Sequence, residues 1–392
     1  MPQDGRRSVH DLVIAGGSIV DPVAGTTTTA DIAIADGRVM VIAASIPTKD
    51  ATRVIDARGL IVAPGLVDLH VHVWSGVAEL AIDNDLYHLA RGTTTVVDAG
   101  SAGANTFRGF RRYVIEPSAT RTLAFLHISG MGQLDLEIGE LEDIRWARVD
   151  RAVEMARANP DVIVGIKLRL STFLVASNAR VAMERALETT EAIGKPLMLH
   201  IGGTVDPTMS LENALGRLRP GDIVTHSFTG WPPGIIDSNG HVIDAALDAR
   251  KRGVLFDVGH GAGSFSFRTA EAALADGFAP DSISSDLHVG NFAGPVYDLV
   301  TTLSKFLLLG LSVEDVIAMA TARPAKAIGR GSDLGRIAVG GVADLTLLRI
   351  IEGNFTFTDS RGDTRQGTRR LEPVATVRAG AVSTPSPWAG RA

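Results

Sequence analysis

Gly65-Leu-Val-Asp-Leu-His-Val-His-Val-Trp74 decides how this chain is read. Side chains at i and i+2 of a strand point to the same face, so His70 and His72 converge at one strand's C-terminal end. The residues leading in, Leu60-Ile-Val-Ala-Pro-Gly-Leu-Val-Asp68, are apolar enough for a strand covered on both faces, as in a parallel sheet. Imidazoles are common ligands of zinc and similar ions. A lone His-x-His also suits two ordinary hydrogen-bonded residues, so the rest of the chain has to choose.

Working outward, residues 64–329 alternate strand, glycine-rich loop and helix. Candidate strands fall at 66–73, 93–98, 122–128, 162–170, 196–201, 222–227, 254–258 and 282–286. Helical spacing runs over 144–158, 181–193, 242–252 and 270–275, with stops at Asn159-Pro160, Gly194, Gly253 and Gly277. Eight such units match a (β/α)8 TIM barrel in number and length. Two further helices are expected at 296–309 and 313–328. The flanks read as β: 11–17, 30–35 and 39–43 on one side, 344–348, 354–358 and 373–378 on the other, with a hairpin at Asp36-Gly37. The expected α/β architecture is a barrel at 64–329 beside a small β-sandwich formed by both termini, 1–63 and 330–392. The tail from Ser383 reads as loose.

The balance of 38 basic and 44 acidic residues, a formal charge of −6, argues against nucleic acid as a partner. With no cysteine, disulfides, thiolate metal sites and cysteine nucleophiles are excluded. The first ten residues carry no apolar leader, and no run is long enough to cross a bilayer. A cytoplasmic enzyme acting on a small molecule, away from membranes, is the expectation; a homo-oligomer is left open.

Barrel chemistry sits at the C-terminal strand ends. The polar residues there are His70 and His72, Asp98, His127, Lys167 and Arg169, His200, His226, Asp257 with His260 just beyond, and Asp286 with His288. Most of the chain's ten histidines gather at these ends, which a single His-x-His could not establish. Asp98 reads as structural, and Asp257 as either a partner of the site or a packing residue. Ser101 and Ser264 have no evident activating base.

This set resembles the amidohydrolase superfamily. The residues that carry the resemblance are Pro64-Gly-Leu-Val-Asp-Leu-His-Val-His72, Gly165-Ile-Lys167, His200, His226 and Ser285-Asp286. Arg323-Pro-Ala-Lys-Ala-Ile-Gly329 and Gly335-Arg-Ile-Ala-Val-Gly-Gly-Val-Ala-Asp344 resemble its return into the β-sandwich. The resemblance implies two divalent metal ions, zinc being the expected one. His70, His72 and Asp286 would hold one ion and His200 and His226 the other. Lysine has no acceptor for a cation; the resemblance implies that Lys167 reacts with carbon dioxide to a bridging carbamate, the alternative being a salt bridge to Asp98 or Asp257. Ile163, Gly165 and Lys167 would share a strand face, with Gly165 leaving room under the lysine stem. A metal-bridging hydroxide would attack, and Asp286 would be the catalytic proton carrier.

Trp74 stands where dihydroorotases typically carry an arginine. Lys167-Leu-Arg169 and Asp257-Val-Gly-His-Gly-Ala-Gly-Ser-Phe265 resemble more a dihydroorotase-related branch that deacetylates N-acetyl-D-amino acids and acetyl esters of 2-hydroxy acids. Arg169, on Lys167's face, would fork a substrate carboxylate or make a structural ion pair. His260, His288 and Trp74 are the other candidate substrate contacts, with His127 and Trp231 behind them. The alternative is a cyclic amidohydrolase opening a dihydroorotate- or hydantoin-like ring. Hydantoinases often place a tyrosine near the metals, and Tyr87, Tyr113 and Tyr297 all lie outside the strand ends. Deaminases of the superfamily do not need the lysine. A non-catalytic relative is disfavoured because no ligand position is lost.

Overall fold

The computed structural model describes residues 9–203, 206 and 209–385; the first eight residues and the tail beyond Pro385 lie outside it. The N-terminal strands are β1 His10–Asp21, β2 Thr26–Ala35, β3 Arg38–Ala43, β4 Ala51–Asp56 and β5 Ile61–Pro64. Ala35 pairs with Arg38. Asp36 and Gly37 both take positive φ (49° and 71°), as the tight hairpin requires.

Seven parallel strands follow in sequence order: β6 Leu66–Val71, β7 Thr93–Gly103, β8 Arg121–His127, β9 Ile163–Arg169, β10 Leu197–His200, β11 Ile223–Thr225 and β12 Leu255–Phe256. The expected eighth strand is not a ladder. Residues 282–287 make single parallel bridges, Ser282 to Asp257 and Leu287 to Val71, and so join the two sheet edges. Asp286 N–H donates to His70 O at 2.7 Å and Val258 N–H to Ser282 O at 3.0 Å. The interior is filled by Leu69, Val97, Phe125, Val164, Met198 and Ile223, with Ala325 and Ile328 closing one end. The helices Val149–Ala158, Ala179–Ile193, Asp244–Lys251 and Phe267–Ala275 cover the outside, each burying small apolar side chains on one face.

The chain then returns through β13 Leu345–Thr358, β14 Thr364–Arg378 and β15 Ala381–Ser383. These pair onto β5, giving one sheet in the order β15-β14-β13-β5-β1-β2-β3, with β4 beside β1. Val39 of β3 and Val377 of β14, from opposite parts of the sheet, share one core with Ile14, Ile32 and Leu345. The sheet therefore folds over on itself, as the two flanks require. The strands expected at 344–348 and 354–358 are one strand with an irregularity between Glu352 and Phe355.

The helix expected over 313–328 is two, Val313–Met319 and Ala322–Ala327. Pro324 has no N–H, so it fits only a first turn, and a new helix has to start just before it. Among the described residues no helix is long and apolar enough to cross a membrane.

Candidate metal centre

His70, His72 and Asp286 form one group: Asp286 Oδ1 lies 3.5 Å from His70 Nε2 and 3.3 Å from His72 Nε2. His226 stacks obliquely on His70, with centroids 5.0 Å apart, and His200 meets His226 edge-on at 4.2 Å. Lys167 Nζ lies 3.2 Å from His70 Nε2. The structure thus brings together all six residues of the expected set.

Neighbouring strands and loops set the tautomer of His70, His226 and His200. His70 Nδ1–H donates to Thr225 Oγ1 (2.8 Å), whose own proton goes to Asp257 Oδ2 (2.8 Å). His226 Nδ1–H donates to Gly259 O at 2.6 Å. Both rings therefore turn a bare Nε2 inward. Ser171 gives its proton to Gly202 O, so its oxygen accepts from His200 Nε2 (3.3 Å) and leaves Nδ1 bare. Such outer partners orient metal-binding histidines generally. Burial, and then neighbouring cations, push His70 and His200 well below the usual imidazole range. Burial takes His226 down to about 4. Neutral rings with inward lone pairs are what a divalent ion needs.

Asp286 is buried, and its Oδ1 has no hydrogen-bond partner among the described residues. Burial raises its pKa, but the imidazoles of His72, His288 and His226 beside it outweigh that and hold it below the usual carboxylate range. An anionic oxygen with no hydrogen-bond partner among the described residues, set among imidazole nitrogens, fits a cation, so the residues present suit the expected metal. Asp286 (φ 46°) and His226 (φ 67°) both sit in the left-handed region, at a cost of roughly 1–3 kcal/mol each. Asp68, two residues before His70, holds Ser285 by both its backbone N–H and its hydroxyl and so anchors Asp286's neighbour.

Lys167 pairs with no carboxylate among the described residues, so the salt bridge to Asp98 or Asp257 is not made. Burial pushes its amine down to about 7. The room beneath its stem is not at Gly165, whose vacant side is filled by Phe125 and Pro196 O; it is at Gly100, where a Cβ would sit 2.8 Å from Lys167 Cβ. A register shift at Ile163–Gly165 puts Val164 inside and leaves Ile163 in the outer core with Ile166. Ile163 therefore does not share Lys167's face, because a bulge breaks simple alternation.

Asp98 is structural: it accepts from Val73, Gly100 and Ser101 N–H. Arg169 Nη1 bonds Glu140 Oε1 at 2.7 Å and Gln133 Oε1 at 3.3 Å, while its Nε is buried without a partner among the described residues. Glu140 Oε2 lies 2.9 Å from His127 Nε2. His288 interacts electrostatically with Asp286, His72 and Arg169. Trp74 does not open onto the site: its ring packs on Phe110 in the outer core. Trp231 is half exposed on the loop after β11. His260 is fully buried with both ring nitrogens engaged, by Lys305 and Gly261.

Sequence reasoning did not single out Asp68, Thr225, Ser171, Gln133, Glu140 or Lys305. Asp68 alone had a local signal, its place two residues before His70. The others lie far along the chain from what they touch.

The family model described as the amidohydrolase family matches residues 265–381. A deacetylase of Brucella anthropi is 38% identical over 332 residues, covering 84% of this chain and 82% of that protein. Two crystal structures are similar over nearly the full length. One, titled an adenine deaminase, has TM-score 0.89 and 32% identity, covering 96% of this chain and all of its own. The other, titled a dihydroorotase, has TM-score 0.88 and 35% identity, covering 97% and 99%. With this likeness over most of its length and the strand-end constellation described above, the chain belongs to the amidohydrolase family and is a hydrolase acting on C–N bonds.

Proposed function

We propose that the protein is a dinuclear metal-dependent deacetylase. Its substrates are small N-acyl amino acids, cleaved at the amide, or acyl 2-hydroxy acids, cleaved at the ester. The observation that carries the reading is Asp286 Oδ1, which has no hydrogen-bond partner among the described residues and faces the His70 and His72 imidazoles, in a chain alike over most of its length to a deacetylase.

His70, His72 and Asp286 would hold one ion and His200 and His226 the other; imidazole and carboxylate donors suit zinc. No described carboxylate serves the second pair. Lys167 would supply that anion: its buried amine combines with carbon dioxide to give a carbamate and one released proton. When bound, the ions polarise the scissile carbonyl and lower the pKa of water from ~15.7 to about 7.

Asp286 takes a proton from the attacking water and passes it to the leaving nitrogen or oxygen. Its Oδ2, the oxygen against Gly261, is the proton-carrying atom, since Oδ1 faces the histidines. Arg169 is held through Nη1, and its Nε, unpaired among the described residues, would meet the substrate carboxylate. His288 is the second substrate contact. The overall reaction adds one water and releases the acyl carboxylate and the free amine or alcohol.

The likeness to a dihydroorotase supports a second reading, ring opening of a cyclic amide. A hydrolysis screen on zinc-loaded protein prepared with bicarbonate separates the two. It pairs N-acetyl-D- and L-amino acids with acetyl-mandelate enantiomers, hydantoins and dihydroorotate. Acetate release from one enantiomeric series is expected; ring opening without acetate release would overturn the deacetylase reading.

A further inference from the structure

Three residues that no catalytic step uses converge on the loop 259–261. Gly259 O accepts from His226 Nδ1, and Gly261 lies so close to Asp286 that a Cβ there would come within 2.5 Å of Oδ2. This short loop therefore orients one proposed ligand and walls another. Between the two glycines, His260 accepts at Nε2 from Lys305 Nζ (2.6 Å) and donates from Nδ1 to Gly261 O (2.9 Å), with its ring stacked on Phe265 at 4.5 Å.

Lys305 sits on the helix Leu299–Leu308 and is 1% exposed. Its other two contacts are Pro295 O (2.9 Å) and Thr358 O (2.7 Å), the latter the last residue of β13. Three acceptors surround it, matching the three N–H of an ammonium. The tip of the β13–β14 hairpin grips the same loop. Ser360 Oγ donates to Gly261 O at 2.8 Å, Ser360 N–H to Phe265 O at 3.0 Å, and Asp359 Oδ2 accepts from Phe267 N–H at 2.8 Å. A chain segment nearly a hundred residues downstream thus holds the loop directly through Ser360, and Lys305 ties His260 to the same segment through Thr358 O.

We propose that Lys305, His260 and Ser360 are positioning residues, a brace from the C-terminal hairpin that fixes His226 and the wall beside Asp286. The inference rests on the metal-centre reading above. It gives His260 a role its burial permits, in place of substrate contact. A buried cation is a costly way to fill space, because apolar replacements of buried ionic groups are often neutral or stabilising.

The test titrates full-length protein, prepared with bicarbonate, with zinc against a chromophoric chelator, far below the unfolding temperature. It compares wild type with Lys305→Met, His260→Ala, His260→Gln and Ser360→Ala, and records the melting temperature of each apoprotein. The expected result is a weaker-site dissociation constant raised about 10–100-fold in Lys305→Met and His260→Ala. His260→Gln should recover much of it, since its amide oxygen still accepts from Lys305. Ser360→Ala should shift it in the same direction, by about threefold or more, even if Lys305→Met does not fold. Wild-type zinc affinity in every folded variant, with lower melting temperatures alone, would overturn the brace and leave the metal centre intact. A wild type that binds no second ion would instead remove the metal-centre reading and the brace with it.

Discussion

Asp286 sits in a left-handed conformation that a side-chain-bearing residue adopts at a cost, in a buried site, with one carboxylate oxygen unpartnered among the described residues. Each feature is unfavourable for folding alone, and together they describe an oxygen reserved for something else. Asp286→Asn keeps the size and removes the charge. It should lower kcat about 10²–10⁴-fold with zinc still bound, checked by steady-state kinetics beside metal analysis of the same sample. Retention of near wild-type kcat would show that another group moves the proton. At this scale the donors were legible because the sequence pattern sets each at the end of an expected strand, the position where barrels place chemistry. Their partners were not: Thr225 reaches His70 across 155 residues of sequence, and the Ser171 hydroxyl behind His200 comes from a neighbouring loop. Hydrogen bonds between strands leave no trace in local spacing.

The elements departed from expectation where pairing is irregular. β12 has two residues and the eighth segment only bridges, because that stretch turns sharply to aim Asp286 inward. Alternation put Ile163 and Lys167 on one face, and a bulge at Val164–Gly165 put them on different ones. The break before Pro324 was readable from proline chemistry, yet the apolar spacing on both sides masked it. The loop after β8 carries Gln133 and Glu140 into the interior, and no spacing announced that. Burial raises the Glu140 pKa, but Arg169 and His127 outweigh it and hold the carboxyl below its ordinary 4.5. A depressed carboxylate adds stability that is fully present above the unfolded value and is lost as pH falls through the folded one. Glu140→Gln apoprotein should therefore be less stable than wild type by on the order of 2 kcal/mol at pH 7. Thermal or urea unfolding across pH should show the gap constant above pH 4.5 and narrowing below it. A gap unchanged on acidification would mean that the ion pair with Arg169 is not what Glu140 contributes.

The molecule pairs a curled seven-stranded parallel sheet, whose two edges are joined by the bridges of residues 282–287, with a folded-over sheet shared by its termini. That plan was legible because strand–helix alternation and terminal β texture are long-range patterns that survive local irregularity. The contact of the C-terminal hairpin with the loop 259–261 was invisible, since Ser360 and Gly261 are 99 residues apart and neither carries a recognisable pattern. The arrangement makes Lys167 the hinge of the functional account. It is the buried amine 3.2 Å from His70 Nε2, in a group that has a carboxylate, and among the described residues no carboxylate joins His200 and His226. The most direct measurement is the number of zinc ions bound per chain by wild type and Lys167→Met after equilibration with zinc and bicarbonate and removal of free metal. The account predicts two in wild type and one in the variant, because His70, His72 and Asp286 keep theirs while His200 and His226 lose their anion. One ion in wild type, or two in both proteins, would contradict a centre bridged through Lys167.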